Sequence, residues 1–144
     1  MRLSAFRRGS PLLLAAILSG ALFAVHARAV TQRPTALRVT ERDFKISAPK
    51  QVASGNLHVT VDNKGPDDHE LIIVRATTTR LPLRSDGLTA NEEKLSPIIA
   101  VTLEPAGPGT VRTFRLQLRP GRYVLFCNMA GHFMAGMRTT LVVH

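Results

Sequence analysis

Cysteine, tryptophan and tyrosine are scarce in this chain of 144 residues, which contains one Cys, one Tyr and no Trp. A single cysteine, Cys127, excludes an intramolecular disulfide. The few aromatic residues and the scattered basic ones provide no array on which bases could stack, so we expect no binding of nucleic acid. The chain also lacks internal repeats, low-complexity tracts and any long helical periodicity. These absences leave a small globular domain with an unexplained thiol.

The start of the chain has the organisation of a secretory signal peptide. The first ten residues contain three arginines and no acid, residues 11–25 are almost wholly apolar, and residues 27–29 are Ala-Arg-Ala. This order of a basic, an apolar and a small-residue segment is typical of a cleaved leader, and fifteen apolar residues fall short of the roughly 20 that a membrane-spanning helix needs. We therefore predict a signal peptide over residues 1–29, a single domain over residues 30–144, and a periplasmic or otherwise exported mature protein.

Basic residues outnumber acidic ones, with 19 Lys and Arg against 10 Asp and Glu. The predicted leader contains four of the basic residues and no acid, so the mature chain keeps fifteen basic and ten acidic residues, a net charge of +5. A basic solvated surface attracts negatively charged partners. We expect an acidic protein partner or peripheral association with a negatively charged membrane surface, and a monomeric chain.

Short apolar alternations separated by Gly, Pro, Asn and Asp make up the chain after Thr31. Alternation with period two favours half-buried strands. Strands are predicted over residues 57–62, 71–74, 98–103, 114–118, 123–127 and 139–143. The sequence therefore indicates an all-β sandwich of about seven to eight strands, with a loop or short helix near residues 91–94.

Two connections in this pattern contain strong turn residues. Residues 63–68 are Asn-Lys-Gly-Pro-Asp-Asp, and Pro120-Gly121 separates two of the predicted strands. Turn residues between two alternating segments are typical of a hairpin. We therefore expect 57–62 to pair with 71–74, and 114–118 to pair with 123–127.

One short segment carries three soft or borderline metal ligands. Cys127, His132 and Met137 are separated by four residues each, in a connection between two predicted strands. Two imidazoles and a thiolate in a plane, with a weak axial thioether, form the ligand set of a mononuclear type 1 copper site. His69 follows the first turn and is the natural second imidazole, because the predicted hairpins bring it to the same end of the sandwich. The predicted metal ligands are His69, Cys127, His132 and Met137.

The spacing of these residues resembles that of the cupredoxins, the family of plastocyanin, azurin, rusticyanin and the auracyanins. The resemblance extends over nearly all of residues 30–144, and the ligand loop is most similar to those of the rusticyanin-like and auracyanin-like members. It implies a Greek-key β-sandwich in which a first histidine follows an Asn- and Gly-containing turn. Plastocyanin and azurin have Asn directly after that histidine, whereas this chain has Glu70. The surroundings of the cysteine sulfur, and hence the reduction potential, stay open at this position.

Several neighbouring residues have alternative interpretations. Met129 and Met134 compete with Met137 for the axial position, since a loop methionine often serves packing. We expect Met129, Phe133 and Met134 to form an apolar rim around His132, with core packing as the alternative for Phe133. Outside that rim, we expect solvated side chains at His58, His144, Asp67, Asp68 and Glu70. Gly131 and Gly136 are expected to let the loop turn sharply.

The ligand set favours a one-electron carrier over an enzyme. We expect one copper ion, and a redox partner such as a cytochrome or a terminal oxidase. The alternative is a periplasmic copper chaperone or storage protein that binds Cu(I), because the methionines also suit that ion. A copper oxidase or nitrite reductase would need further imidazoles, of which the predicted mature chain has only His58 and His144, and a dinuclear electron-transfer centre would need a second cysteine.

Overall fold

The computed structural model describes residues 34–144, so the predicted signal peptide lies outside the described residues. Nine strands occur in this range: β1 Thr35–Arg42, β2 Lys45–Ser47, β3 Gln51–Val52, β4 Gly55–Asn63, β5 His69–Arg75, β6 Ile99–Ala106, β7 Val111–Leu118, β8 Gly121–Phe126 and β9 Arg138–Val143. One short helix, α1 Glu92–Leu95, continues into a 3-10 turn at Ser96–Ile98. Among residues 34–144, no helix is long and apolar enough to cross a membrane.

The strands form two sheets of mixed direction. The four-stranded sheet has the order β2-β1-β4-β7 and the five-stranded sheet the order β3-β9-β8-β5-β6. The β1–β4 and β3–β9 pairs are parallel, and the other pairs are antiparallel. The predicted all-β sandwich is therefore confirmed. The strand count exceeds the predicted seven to eight, because β2 and β3 are too short, at three and two residues, to give an alternation in the sequence.

Both predicted hairpins are wrong. β4 pairs with β1 and β7, whereas β5 pairs with β6 and β8, so residues 57–62 and 71–74 lie in different sheets. The connection through Pro120 likewise joins β7 in one sheet to β8 in the other. Alternation of apolar residues identifies the buried face of a strand and not its partner. Both turns carry the chain from one layer of the sandwich to the other.

The two sheets differ in how they are covered. In β4 the apolar residues Leu57, Val59 and Val61 are fully buried and alternate with more exposed positions, so one face of that sheet is solvated. Residues 71–74 of β5 are all fully buried. The connection between β5 and β6 packs Leu81, Ala90 and Leu95 on the outer face of this sheet. They belong to a second apolar cluster, called the outer cluster below.

The pairing around β8 determines where the predicted ligands meet. β5 and β8 are antiparallel with Ile72 opposite Phe126, so the start of β5 lies beside the end of β8. β8 and β9 are also antiparallel, with Phe126 opposite Arg138. The first residue of β5 is His69, and residues 127–137 connect β8 to β9. Because the three strands are neighbours, His69 and this ligand loop share one end of the sandwich.

Candidate metal centre

The turn before β5 is held by the side chain of Asn63, which is 1% exposed. Its Oδ1 accepts a hydrogen bond from the Gly65 backbone N–H at 2.9 Å. Its Nδ2 donates to the carbonyl oxygens of Asp67 at 2.8 Å and Ala106 at 2.9 Å. An Asn side chain that bonds the backbone two residues onward is a common turn device. These contacts fix the turn that delivers His69 to the interior.

The ligand loop, residues 127–137, is closed by its own backbone. The Cys127 N–H donates to the Met137 carbonyl at 3.1 Å, and the Met137 N–H donates to the His132 carbonyl at 3.0 Å. Gly131 and Gly136 have φ values of 83° and 102°, in the left-handed region that glycine adopts without a Cβ clash. The predicted role of these two glycines in turning the loop is confirmed.

Three of the four predicted ligands meet at one point. The donor atoms of His69, Cys127 and His132 all lie within 4.8 Å of one another. Cys127 Sγ is 3.6 Å from His132 Nδ1, and the two imidazole rings are 5.2 Å apart between centroids. His69 and Cys127 are fully buried, whereas His132 is half-buried. The cluster thus has a dry interior side and one imidazole that reaches the surface.

Met137 is fully buried and belongs to the same apolar cluster as Cys127. Met129 is partly buried and packs against this cluster, whereas Met134 is 49% exposed. Burial therefore separates Met134 from the other two methionines. The choice of Met137 as the axial ligand stays a prediction, supported by the backbone bonds that hold it beside Cys127 and His132.

Burial controls the protonation of the buried ligands. It raises the pKa of the Cys127 thiol to about 11, an effect that the backbone N–H groups of Glu70 and Met129 oppose. The pKa of His69 is lowered, first by burial and second by the neighbouring His132. A neutral imidazole is the form that binds metals. The thiol, by contrast, must be deprotonated before it can bind a metal. A bound cation favours this step, because it stabilises the thiolate.

The donor set of this cluster fits a metal ion. Both ring nitrogens of His69 are buried without a hydrogen-bond partner, which is costly for a polar side chain unless a ligand satisfies it. An imidazole pair with one thiolate suits copper, and the adjacent buried thioether suits the same ion. Oxygen-preferring cations such as calcium would need several carboxylate or carbonyl ligands. The residues present therefore fit copper better than a hard cation.

The side chain of Asn128 anchors the long connection over β5 to the metal centre, and it was missed at the sequence level. Its Oδ1 accepts from the Ala90 backbone N–H at 2.6 Å, and its Nδ2 donates to the Ala90 carbonyl at 3.1 Å and to Glu92 Oε1 at 2.7 Å. Ala90 lies far from Asn128 in the chain, so no local pattern could reveal this contact. It joins the residue after Cys127 to the segment before α1.

The turn between β1 and β2 also reaches the centre, without any signal in the sequence. Asp43 Oδ1 lies 3.0 Å from His69 Nε2. The ring of Phe44 packs edge-on against His132, with centroids 5.4 Å apart. Phe44 has a φ of 56°, a left-handed conformation that costs a residue other than glycine about 1–2 kcal/mol. Strained backbone of this kind persists where the surroundings hold it in place.

The expected apolar rim around His132 is only partly correct. Phe133 is 2% exposed and packs in the outer cluster against Phe126, at 5.4 Å between ring centroids. The Arg138 guanidinium lies over the Phe133 ring, 4.7 Å from the ring centre. Phe133 is therefore a core residue, because the loop turns its side chain under the sheet. Met134, the residue after Phe133, is 49% exposed, and Phe44, which packs against His132, is 48% exposed.

The remaining side chains for which we expected solvation divide into two groups. His58, His144, Asp67 and Asp68 are exposed, as predicted. Glu70 is not a solvated charge: it is half-buried, and burial raises its pKa, with Glu92 acting in the same direction. The backbone N–H of Asn128 opposes that shift. Glu70 therefore lies against the residue that follows Cys127, rather than in solvent.

No protein-family model matches the chain. Among curated proteins no similar sequence was found. Solved structures do match. An auracyanin from Roseiflexus castenholzii is 20% identical with a TM-score of 0.57, over 78% of this chain and 99% of that one. A rusticyanin from Thiobacillus ferrooxidans is 14% identical with a TM-score of 0.59, over 78% and 79%. An azurin from Methylomonas sp. strain J is 19% identical with a TM-score of 0.55, over 76% and 98%.

These proteins share one architecture, and their identities to this chain are low enough that the likeness concerns the fold. The likeness lies in the nine strands and two sheets of residues 34–144. The chain has the cupredoxin fold, and its cluster of His69, Cys127 and His132 fits a type 1 copper site.

Proposed function

We propose that this protein is an exported one-electron carrier that holds one type 1 copper ion with His69, Cys127, His132 and Met137. The observation that carries the proposal is the convergence of two imidazoles and one thiol within 4.8 Å, with Cys127 buried and His132 at the surface. Copper bound there would supply the exchange of a single electron between Cu(I) and Cu(II). Among the similar structures, one rusticyanin is described as a copper protein, and reduced forms of auracyanin and rusticyanin are described as well.

The protein's contribution is a cage that does not rearrange. Cys127 and Met137 are joined by a backbone hydrogen bond of 3.1 Å at the two ends of the ligand loop. His69 starts a strand paired on both sides, with β6 and β8. Because His69 begins a strand, and Cys127 and Met137 directly adjoin β8 and β9, we expect the donor atoms to keep their positions when an ion binds. A fixed ligand geometry suits two oxidation states and limits reorganisation.

His132 would be the route for the electron, since it is the donor whose ring reaches the surface. Phe44, which is 48% exposed, packs against this ring, and Met134, which is 49% exposed, follows two residues later in the ligand loop. A small apolar patch of this kind suits a weak and short-lived encounter, as redox partners require. We therefore propose docking at the surface formed by His132, Phe44 and Met134.

The excess of basic residues would attract an acidic partner, such as a cytochrome or a terminal oxidase, or hold the monomeric protein near a negatively charged membrane surface. Attraction between exposed charges is screened by salt, with a Debye length near 10 Å at 0.1 M. The rate of electron transfer to an acidic cytochrome should therefore fall as salt is added. A rate independent of ionic strength would remove this part of the proposal.

The proposal is tested by the optical and paramagnetic spectra of the copper-loaded protein, together with its voltammetry. A carrier with a Cu(II)–thiolate bond should be intensely coloured when oxidised and should be reduced reversibly by one electron. A colourless oxidised protein that takes up and releases Cu(I) would instead support a copper chaperone or storage protein. That outcome would contradict electron transfer while leaving the fold unaffected.

A further inference from the structure

The turn at residues 42–45, between β1 and β2, touches both histidines of the metal centre from outside the ligand loops. Asp43 Oδ1 lies 3.0 Å from His69 Nε2, and Phe44 packs against the ring of His132. His69 has two ring nitrogens. Since Nε2 faces the carboxylate, Nδ1 is the nitrogen that is left to face the cluster with Cys127.

The contact between Asp43 and His69 is enclosed. Asp43 Oδ1 and both His69 nitrogens are inaccessible to solvent, and none of the three has a hydrogen-bond partner among the described residues. At 3.0 Å the carboxylate oxygen and Nε2 are close enough for a hydrogen bond. The pair is thus in direct electrostatic contact.

Gly65 leaves room for this pair. A Cβ at that position would lie 2.7 Å from Asp43 Oδ1 and 2.7 Å from His69 Nε2, closer than real Cβ atoms approach other heavy atoms. The turn of residues 63–68 therefore passes directly over the contact. The other turn, residues 42–45, contributes Asp43 and holds Phe44 in a left-handed backbone conformation. Such local strain persists where the surrounding structure holds the backbone in place.

We propose that Asp43 is a positioning residue for His69, an inference that rests on the proposed copper function. The carboxylate keeps the proton on Nε2, which leaves Nδ1 free to bind the ion, and it places a negative charge next to the ligand. Carboxylates that accept from a metal-bound imidazole orient its ring and increase its basicity. A nearby negative charge also stabilises Cu(II) more than Cu(I), since the oxidised site carries one more positive charge.

Asp43→Asn removes the charge and keeps the shape, so it tests this role directly. We expect the Cu(II) affinity, measured by competition with a chelator, to fall about tenfold to 100-fold, the range for such outer partners. A tenfold loss confined to Cu(II) corresponds to a rise of about 59 mV in the reduction potential. Asp67→Asn is the matched control, because Asp67 lies in the turn before His69 and is exposed.

A second measurement needs no copper. In the metal-free protein, nitrogen NMR of His69 should show the proton on Nε2, and Gly65→Ala should disturb this signal by wedging a methyl group into the contact. The inference is overturned if Asp43→Asn and Asp67→Asn change the potential equally, or if the proton of His69 resides on Nδ1. Absence of thiolate colour in the unaltered copper-loaded protein would refute the copper function instead, and the NMR result would still decide the contact.

Discussion

The two sides of the metal centre are built differently. On the inner side Cys127, Met137 and His69 are fully buried, and backbone pairing with β5, β8 and β9 fixes them. On the outer side His132 is half-buried and packs against the exposed Phe44, and the exposed Met134 follows two residues later in the ligand loop. Burial protects a bound ion from water, whereas exposure permits contact with a partner. The buried residues should control the binding of the ion, and the exposed residues should control the encounter with a redox partner. Four variants test this division.

The largest effect is expected on the inner side, from Cys127→Ser. The hydroxyl is a poor ligand for copper compared with a thiolate, so the intense visible absorption should disappear. The metal-free protein should still fold, with a loss of about 1–3 kcal/mol in the free energy of unfolding for a buried hydroxyl without a partner. Optical titration with copper and urea unfolding measure the two effects. Survival of the colour would show that Cys127 is not the thiolate ligand.

A smaller effect on the inner side is expected from Met137→Leu. The two side chains have similar volumes, so the free energy of unfolding should change by less than about 1.5 kcal/mol. Colour should remain, because the thiolate is intact. The reduction potential should rise, since Cu(II) loses an axial donor. We expect a shift of at least about 59 mV, which corresponds to a tenfold fall in the affinity for Cu(II) relative to Cu(I). Voltammetry is the measurement, and Met134→Leu is the control. An equal shift in both variants would argue against Met137 as the axial ligand.

On the outer side, the double change Phe44→Ser with Met134→Ser should leave the thiolate colour in place, because it alters none of the four proposed ligands. It removes apolar contact from the docking surface, which should weaken the free energy of association by about 1 kcal/mol for each half-exposed side chain. Electron transfer to an acidic cytochrome, followed by stopped-flow absorbance, should slow by roughly fivefold or more. Val142→Ser is a matched control, because Val142 is 36% exposed near the end of β9, away from the ligand loop that precedes this strand. If the control slows transfer equally, docking does not occur around His132.

The smallest effect on the metal centre is expected from Glu41, a buried residue at the end of β1. Burial raises its pKa to about 7, and Arg112, 3.4 Å from its Oε2, opposes the shift. The folded state therefore holds this proton more tightly than the unfolded state does. The free energy of unfolding should fall between about pH 4.5 and pH 7, by at most about 3 kcal/mol.

Urea unfolding of the metal-free protein at pH 5 and pH 8 measures this effect of Glu41. Glu41→Gln should flatten the pH dependence and leave the colour of the copper-loaded protein unchanged. Glu93→Gln serves as the control, because Glu93 is exposed. A pH dependence that persists in Glu41→Gln would assign the effect to another group.

The sequence was most informative where the chemistry is local. Cys127, His132 and Met137 occur within eleven residues, and their spacing alone suggested a metal loop. The all-β class followed from alternating apolar residues. His69 required a long-range contact, and the structure does bring it to the cluster, but by pairing of β5 with β8 and not by the hairpins that we expected.

Residues that depend on tertiary contacts could not be predicted. Asp43 and Phe44 occupy a short turn without a motif, and their role appears only because that turn approaches both histidines. Asn128 bonds a segment 38 residues away. Phe133 follows His132 directly, yet the loop buries it in the outer cluster. Spacing identifies donor types, whereas their surroundings depend on how the layers pack.

X-ray absorption at the copper edge of the copper-loaded protein identifies the atoms bound to the ion. We expect one short copper–sulfur bond and two imidazole nitrogens, and loss of the sulfur signal in Cys127→Ser. Copper surrounded by nitrogen and oxygen alone, or an unchanged sulfur signal in that variant, would contradict a site built from His69, Cys127 and His132.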